Sequence, residues 1–364
     1  MAALPHRNIL FAAAKYAKGC NKLTGPVRHL TSKQLVYREF GDPLVVLKVR
    51  ECEVPKLGTQ DVLVRMLAAP INPADINTIQ GKNICLPSLP TVPGDEGVGD
   101  VVEIGKHVGR VAVGDRVVLS SRFLGSWRFY GVFNERDVHV IAKKLKLPEA
   151  AMLTIAPCSA YRMLHDFREM KPGDTVIQNA ANSPCGQSVI QLCKARGINT
   201  FNIVASHCGY EAVKAYLLSI GASAVFTLEE AEALTAFNTS LARPTLALNC
   251  LGGRYEDIML KLLERNGALV YYGCAYYFPI VKQCCRFDAK FHKFHIHEWE
   301  GKATCVEKDI MYKNIIQQMI MGKFKAPMHV PIEMKDYILG LKNTVHSEAF
   351  STVNYVFDFT LPCF

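Results

Sequence analysis

The chain has 364 residues, 49% of them hydrophobic, and a formal net charge of +9. That length exceeds one core of ordinary size, so two domains are predicted, and no apolar run of about 18 residues is available to cross a membrane. The charge does not form a nucleic-acid stripe: residues 1–33 hold six basic residues and no acid, and the remainder nearly balances at 36 basic against 33 acidic residues.

The elements begin with that acid-free segment. Arg7, Lys15, Lys18, Lys22 and Arg28 alternate with Ile9, Leu10, Phe11, Ala12 to Ala14 and Tyr16. This is the pattern of a mitochondrial transit peptide over residues 1–32, cleaved near Arg28 to Ser32, with the mature chain in the matrix; a basic tail without structure is the alternative. Lys33–Val49 and Gln60–Leu67 alternate as strands around a turn at Pro55–Gly58, and Val98–Val118 holds short β runs broken by Gly105, Gly109 and Gly114. This half reads as an antiparallel, glycine-turned β domain.

From about Ala150 the rhythm changes. A helix over Ser159–Phe167 ends before Pro172. A buried strand follows over Asp174–Ala180, then a turn at Asn182–Gly186, a helix over Gln187–Arg196 and a closing Gly197. Strands at Thr200–Val204, Ala224–Thr227, Thr245–Cys250 and Ala268–Tyr272 alternate with helices at Tyr210–Ile220 and Tyr255–Glu264. Strand and helix in alternation predict a doubly wound parallel sheet, so the fold class is α/β. After Lys293 shorter, mixed elements are expected, and the β domain is predicted to resume there.

The turn at Asn182–Gly186 joins a strand to a helix in the manner that holds a dinucleotide pyrophosphate on a helix N-terminus. It carries one glycine, Gly186, where such turns usually carry two or three, and Pro184 has no N–H to offer. The main-chain N–H groups of Cys185 and Gly186 remain as donors. Thirteen cysteines, among them Cys20, Cys85, Cys158, Cys250 and Cys363, show no paired spacing, and Cys284–Cys285 are adjacent. They read as thiols of a reducing compartment.

Ala68-Ala69-Pro70-Ile71-Asn72-Pro73-Ala74-Asp75-Ile76-Asn77, Ile79-Gln80-Gly81 and Leu89 to Gly99 resemble the medium-chain dehydrogenase/reductase superfamily. Pro157 to Leu164, Val176 to Ser183 and Leu248 to Gly253 narrow the resemblance to its trans-2-enoyl thioester reductases of mitochondrial fatty acid synthesis. The resemblance implies a GroES-like β domain (33–152 and 294–364) interrupted by a Rossmann domain (153–293), a homodimer, and an active site in the cleft between the domains. It implies hydride transfer from NADPH to the β-carbon of an enoyl-CoA or enoyl-ACP thioester, with a tyrosine giving the proton to the α-carbon. Asn182, Ser183, Cys185, Gly186, Tyr272, Gly273, Cys274 and Phe294 fall at its cofactor site.

Zinc is disfavoured on the residues themselves. Asp95 stands where zinc-binding relatives need a histidine, and the 85–115 region has one cysteine, Cys85. His292, His295 and His297 form a second metal candidate, with His295 and His297 on one strand face; a polar strand edge is the simpler reading.

Five departures from the family pattern stand out. Asn83 occupies the proton-donor position, and a carboxamide has no acidic proton. Pro184-Cys185 replace Gly-Val. Ala205-Ser206-His207 replace the Arg-Asp-Arg that holds the 2′-phosphate of NADPH, and no acid there marks NADH, which stays open. Ala156 replaces an asparagine and His295 a tryptophan of the substrate pocket. Three functions follow: an enoyl thioester reductase, a catalytically weak or inactive paralogue acting as a binding protein, and a quinone or carbonyl reductase of the same superfamily.

Overall fold

The computed structural model describes residues 30–234, 241–273, 276, 288–345 and 351–361. Residues 1–29 of the expected leader, Cys274, Cys284–Cys285 and Cys363 lie outside them. The described residues from Thr31 onward form one unit.

β1 (Thr31–Val36) pairs antiparallel with β2 (Lys48–Glu53), so the leader drawn to residue 32 overlaps the first strand by its last residues. Between the two lies a helical turn, α1 (Pro43–Val46), where the sequence pattern had suggested continuous strand. The Asp42 carboxylate accepts the Leu44 N–H at 2.9 Å, and Pro43 brings the φ that a first helical position needs. A local cap thus overrides the alternation of Lys33–Val49.

β3 (Asp61–Pro70), α2 (Pro73–Ile79), β4 (Val98–Ile104), β5 (Arg116–Leu119), β6 (Tyr130–Asn134) and β7 (Val138–Ile141) follow. The strands pair antiparallel: β3 with β4 and β6, β5 with β4 and β7. Buried Trp127 locks this half by donating its indole N–H to the Pro70 carbonyl at 3.0 Å.

Two helices, α3 (Leu147–Ala151) and α4 (Ala156–Asp166), lead into the second half. Its elements are β8 (Thr175–Gln178), α5 (Pro184–Ala195), β9 (Asn199–Val204), α6 (Tyr210–Ile220), β10 (Ala224–Thr227), α7 (Leu228–Glu232), β11 (Leu246–Asn249), α8 (Arg254–Leu262), β12 (Gly267–Tyr271) and β13 (Ala289–Lys293). All neighbours are parallel, in the order β10-β9-β8-β11-β12-β13. Every residue of β8, β11 and β12 is buried, as a parallel sheet covered on both faces requires. The chain reverses its winding between β8 and β11, and the crevice at their carboxyl ends is the topological switch point where such sheets bind ligands.

The remainder is α9 (Ile296–Lys302), α10 (Cys305–Ile320), β14 (His329–Ile332), α11 (Tyr337–Val345) and β15 (Asn354–Asp358). α10 runs for 16 residues, longer than the short elements expected after Lys293, because Thr304 and Glu307 form a reciprocal cap at its start. β15 pairs with the end of β3, Val356 opposite Pro70, so the chain rejoins the first sheet after the parallel sheet is complete.

Candidate active site

The turn after β8 is built around its helix cap. Ser183 is the N-cap of α5, its hydroxyl accepting the Gly186 N–H at 3.2 Å, and Pro184 fills the first helical position. The helix therefore starts three residues ahead of the expected Gln187. The donor set is also corrected: the Gly186 N–H is committed to Ser183, leaving the Cys185 N–H of the two. Gly186 itself has no substitute. A Cβ there would lie 2.5 Å from the Ala181 carbonyl oxygen and 2.7 Å from that of Ala180, both main-chain atoms. This is the glycine that lets helix and strand approach closely.

Gln187 has no access to solvent and ties the turn down. Its amide donates to the carbonyls of Asn182 (2.7 Å) and Thr352 (2.8 Å), and its oxygen accepts from the Tyr216 hydroxyl (2.9 Å) and the Met328 N–H (2.8 Å). The Asn182 amide also reaches the Thr352 hydroxyl at 3.3 Å. Nothing in the sequence marked Gln187, since a helical glutamine ordinarily faces water.

A buried amide pair holds the strand ends beside the turn. Asn249 accepts from Asn179 Nδ2 (2.7 Å) and the Gly252 N–H (2.8 Å), and donates to Glu256 (3.1 Å). Asn179 in turn accepts the Cys250 N–H at 2.7 Å. Asn249→Ala strands these donors in a dry site and is expected to lower stability by about 2 kcal/mol, read as a shifted urea midpoint at unchanged slope.

Tyr272, Cys185, Cys250 and Phe294 share one hydrophobic cluster. Burial, then the neighbouring Cys185 and Cys250 thiols, raise the Tyr272 phenol well above its ordinary value, and burial pushes the Cys185 thiol up to about 12. Both are neutral groups at physiological pH. Gly273 has φ +56°, and Phe294 donates its N–H to the Tyr271 carbonyl at 2.9 Å. The fold thus brings Asn182, Ser183, Cys185, Gly186, Tyr272, Gly273 and Phe294 to the carboxyl edge of the parallel sheet; Cys274 lies outside the described residues. Ala156 opens α4 and is buried, and exposed His207 uses Nδ1 to accept the Gly209 N–H at 3.0 Å.

Asn83 lies just past α2, its amide donating to the Thr78 hydroxyl at 2.6 Å and toward the Ala74 carbonyl at 3.4 Å. Thr78 lines a narrow cavity of about 10 Å³ with Tyr37, Asp75, Asp95 and Phe123. Asp95, which in the sequence bears only on zinc, is joined there by a second acid, Asp75. Asp75 accepts the N–H groups of Asn72 (2.9 Å) and Asp95 (3.2 Å), and Asp95 that of Phe123 (2.8 Å). Glu96 accepts from Asn72 Nδ2 (3.0 Å), the Thr154 hydroxyl (3.2 Å) and the Ile155 N–H (3.0 Å), which anchors the start of α4. Burial raises Glu96 to about 7 and drives Asp75 up as well, reinforced by the Asp95 charge. The Pro-Gly-Asp-Glu-Gly run was the available signal, since two acids flanked by glycine and apolar residues must be buried or bound.

The two histidines do not share a strand face as expected. β13 stops at Lys293; His295 caps α9 and His297 lies within that helix. His297 Nδ1 is 3.2 Å from Glu300, and its Nε2 is 3.9 Å from Asp95. Burial lowers both histidines to about 4 and raises Glu300 to about 8. Among the described residues no three His, Cys, Asp or Glu side chains are placed to hold a metal ion.

Opposing pH effects follow. Glu300 stays protonated in the fold to about pH 8 but ionises at its ordinary 4.5 when unfolded, so it makes stability fall as pH rises between those values. The histidines stay neutral in the fold but protonate near 6.5 when unfolded, so they make stability fall as pH drops from there toward 4. Glu300→Gln keeps an acceptor for the Tyr312 hydroxyl, now at 3.1 Å, and removes the first effect. Melting curves across the range are expected to show a flatter alkaline limb in the variant.

Residues 58–149 match the alcohol dehydrogenase GroES-like domain family. The solved structure of Etr1p with NADP and crotonyl-CoA superposes with a TM-score of 0.79 at 23% identity, covering 91% of this chain and all of that one. A putative NADPH:quinone reductase from Bacillus thuringiensis superposes equally well, TM-score 0.79 at 23% identity over 90% of this chain and 99% of its own, so these likenesses define the fold alone. The fold is that of the medium-chain dehydrogenase/reductase superfamily. The human mitochondrial enoyl-[acyl-carrier-protein] reductase is 35% identical over 336 residues, 91% of this chain and 90% of its own length. A Caenorhabditis elegans reductase of the same name is 42% identical over 247 residues, 67% of this chain and 71% of its own. The chain belongs to the mitochondrial enoyl-[acyl-carrier-protein] reductase family, as the motifs from Ala68 to Gly99 and Val176 to Ser183 indicated.

Proposed function

We propose that this protein reduces trans-2-enoyl thioesters of coenzyme A or acyl carrier protein with NADPH, in the mitochondrial matrix, as a step of fatty acid synthesis. The observation that carries this reading is the cap of α5 at the switch point. A glycine that admits no side chain, a free N–H at Cys185 and the positive end of the helix dipole suit a pyrophosphate. Asn182, Ser183 and Cys185 would hold the phosphates, Gly186 would keep helix and strand close beneath them, and Tyr272, Gly273, Cys274 and Phe294 would flank the nicotinamide, which supplies the hydride. Residues 33–152 and 294–364 form the substrate-binding part and 153–293 the nucleotide part, in a homodimer, with the transit peptide ahead of β1.

Ser206 and His207 offer the adenosine end no guanidinium, so the preference for NADPH over NADH is expected to be modest. The structure-derived site also favours a second reading, a binding protein of low activity, on one observation: the Asn83 amide is bonded to Thr78 and has no proton to give. One pair of measurements decides. NADPH and NADH are titrated by fluorescence, and crotonyl-CoA reduction is followed by NADPH absorbance. Binding with turnover supports the reductase; binding without turnover at high protein concentration supports the second reading; no binding of either nucleotide overturns both.

A further inference from the structure

Two buried hydrogen-bonding atoms near the histidines have no partner. Arg122 Nε and His295 Nδ1 are shut off from water, and neither meets an acceptor among the described residues. Leaving such groups unsatisfied is costly, so each calls for a water, an ion or a ligand atom to meet it.

The two come from distant parts of the chain to one place. The Arg122 guanidinium lies over the Phe123 ring at 4.8 Å, and Phe123 is fixed by its N–H bond to Asp95. Its positive charge bears on both His295 and His297. The His295 and His297 rings are 5.5 Å apart, and His297 is held between Asp95 and Glu300. The Tyr276 ring meets that of His295 edge-on, with centroids 5.2 Å apart.

An arginine Nε–H can only donate. Burial keeps the His295 imidazole neutral at physiological pH, and a neutral imidazole whose Nδ1 carries the proton is a second donor. Two fixed donors in a positive, dry environment suit an oxygen that gains negative charge during a reaction. Neutral imidazole in such a role has precedent in enolate-forming enzymes.

We propose that Arg122 and His295 hold the thioester carbonyl oxygen of the enoyl substrate as it becomes an enolate oxygen. The assignment rests on the reductase reading and names its missing electrostatic part. Hydride adds to the β-carbon; the double-bond pair moves to join the α-carbon to the carbonyl carbon; the carbonyl pair moves onto oxygen, and the reduced nicotinamide is oxidised. The pair returns when a proton from water adds to the α-carbon. Charge stabilisation on oxygen eases hydride addition, and water supplies the proton that Asn83 cannot. His297, which touches Asp95 and Glu300, is a positioning residue for the His295 ring.

Acetoacetyl-CoA tests the site without cofactor or turnover, because its enolate absorbs where the keto form does not. The full-length protein is expected to raise the enolate fraction about tenfold at fixed pH. Arg122→Met, Arg122→Lys and His295→Phe are expected to abolish the rise, and His295→Gln, which keeps an N–H, to restore part of it. Thermal unfolding of each variant reports whether it folds. The site is overturned if the wild-type protein leaves acetoacetyl-CoA in the keto form, or if the folded His295→Phe and Arg122→Lys variants match it. Enolate without crotonyl-CoA turnover upholds the site and sinks the reductase; turnover without enolate does the reverse.

Discussion

Gly186→Ala is expected to lower stability by roughly 3 kcal/mol and to abolish nicotinamide-nucleotide binding. The new methyl group meets the Ala181 carbonyl oxygen at 2.5 Å and the Ala181 Cα at 2.6 Å, and main-chain atoms cannot rotate away as a side chain could. Relief requires α5 to back off from β8, or the turn through Ala180 (φ +50°) to rearrange. Either movement breaks the Ser183 cap on Gly186 and the bond from Gln178 to the Gly186 carbonyl, at 3.1 Å. The helix N-terminus then no longer faces the crevice with its free N–H. Urea unfolding measures the first effect and NADPH fluorescence the second. An alanine variant as stable as the parent would mean that α5 does not pack against this turn as described.

Asn83→Tyr is expected to raise enoyl thioester reduction by on the order of 10²–10⁴, the usual worth of a positioned general acid. Asn83 spends its amide on Thr78 and Ala74, a side-chain and a main-chain acceptor on α2. A phenol at this half-buried position keeps a donor for the same neighbourhood and adds an ionisable proton. The change acts on kcat, since the proton is transferred only in the reaction, while NADPH affinity stays constant. Equal rates for the two proteins, with cofactor bound in both, would show that the proton already arrives by another route.

The architecture was legible because it rests on local patterns repeated many times. Thr175–Gln178, Leu246–Asn249 and Gly267–Tyr271 are continuous apolar or buried runs separated by helical periods, and only a parallel sheet covered on both faces accommodates them. The errors lie where a single local interaction outweighs the period. Asp42-Pro43 starts a helical turn inside an alternating stretch, and Ser183-Pro184 starts α5 early. The strand, turn and helix through Asn182–Gly186 were legible because their residues are contiguous. The cluster of Arg122, His295, His297 and Asp95 was not, since it assembles from three separate segments and each member alone resembles an ordinary polar residue. His295 and His297 were noticed, but a period of two was assigned to them where the chain had already turned into α9.

Gln187 has a consequence for how the molecule reports occupancy. One carboxamide fastens the nucleotide turn to Thr352, to Met328 and to Tyr216, which belong to the returning chain and to α6. A bound phosphate that stiffens the turn must therefore damp the opening of segments far from it in sequence. Amide exchange at Met328 should slow along with that of the turn itself, making a remote backbone proton a gauge of whether the crevice is filled.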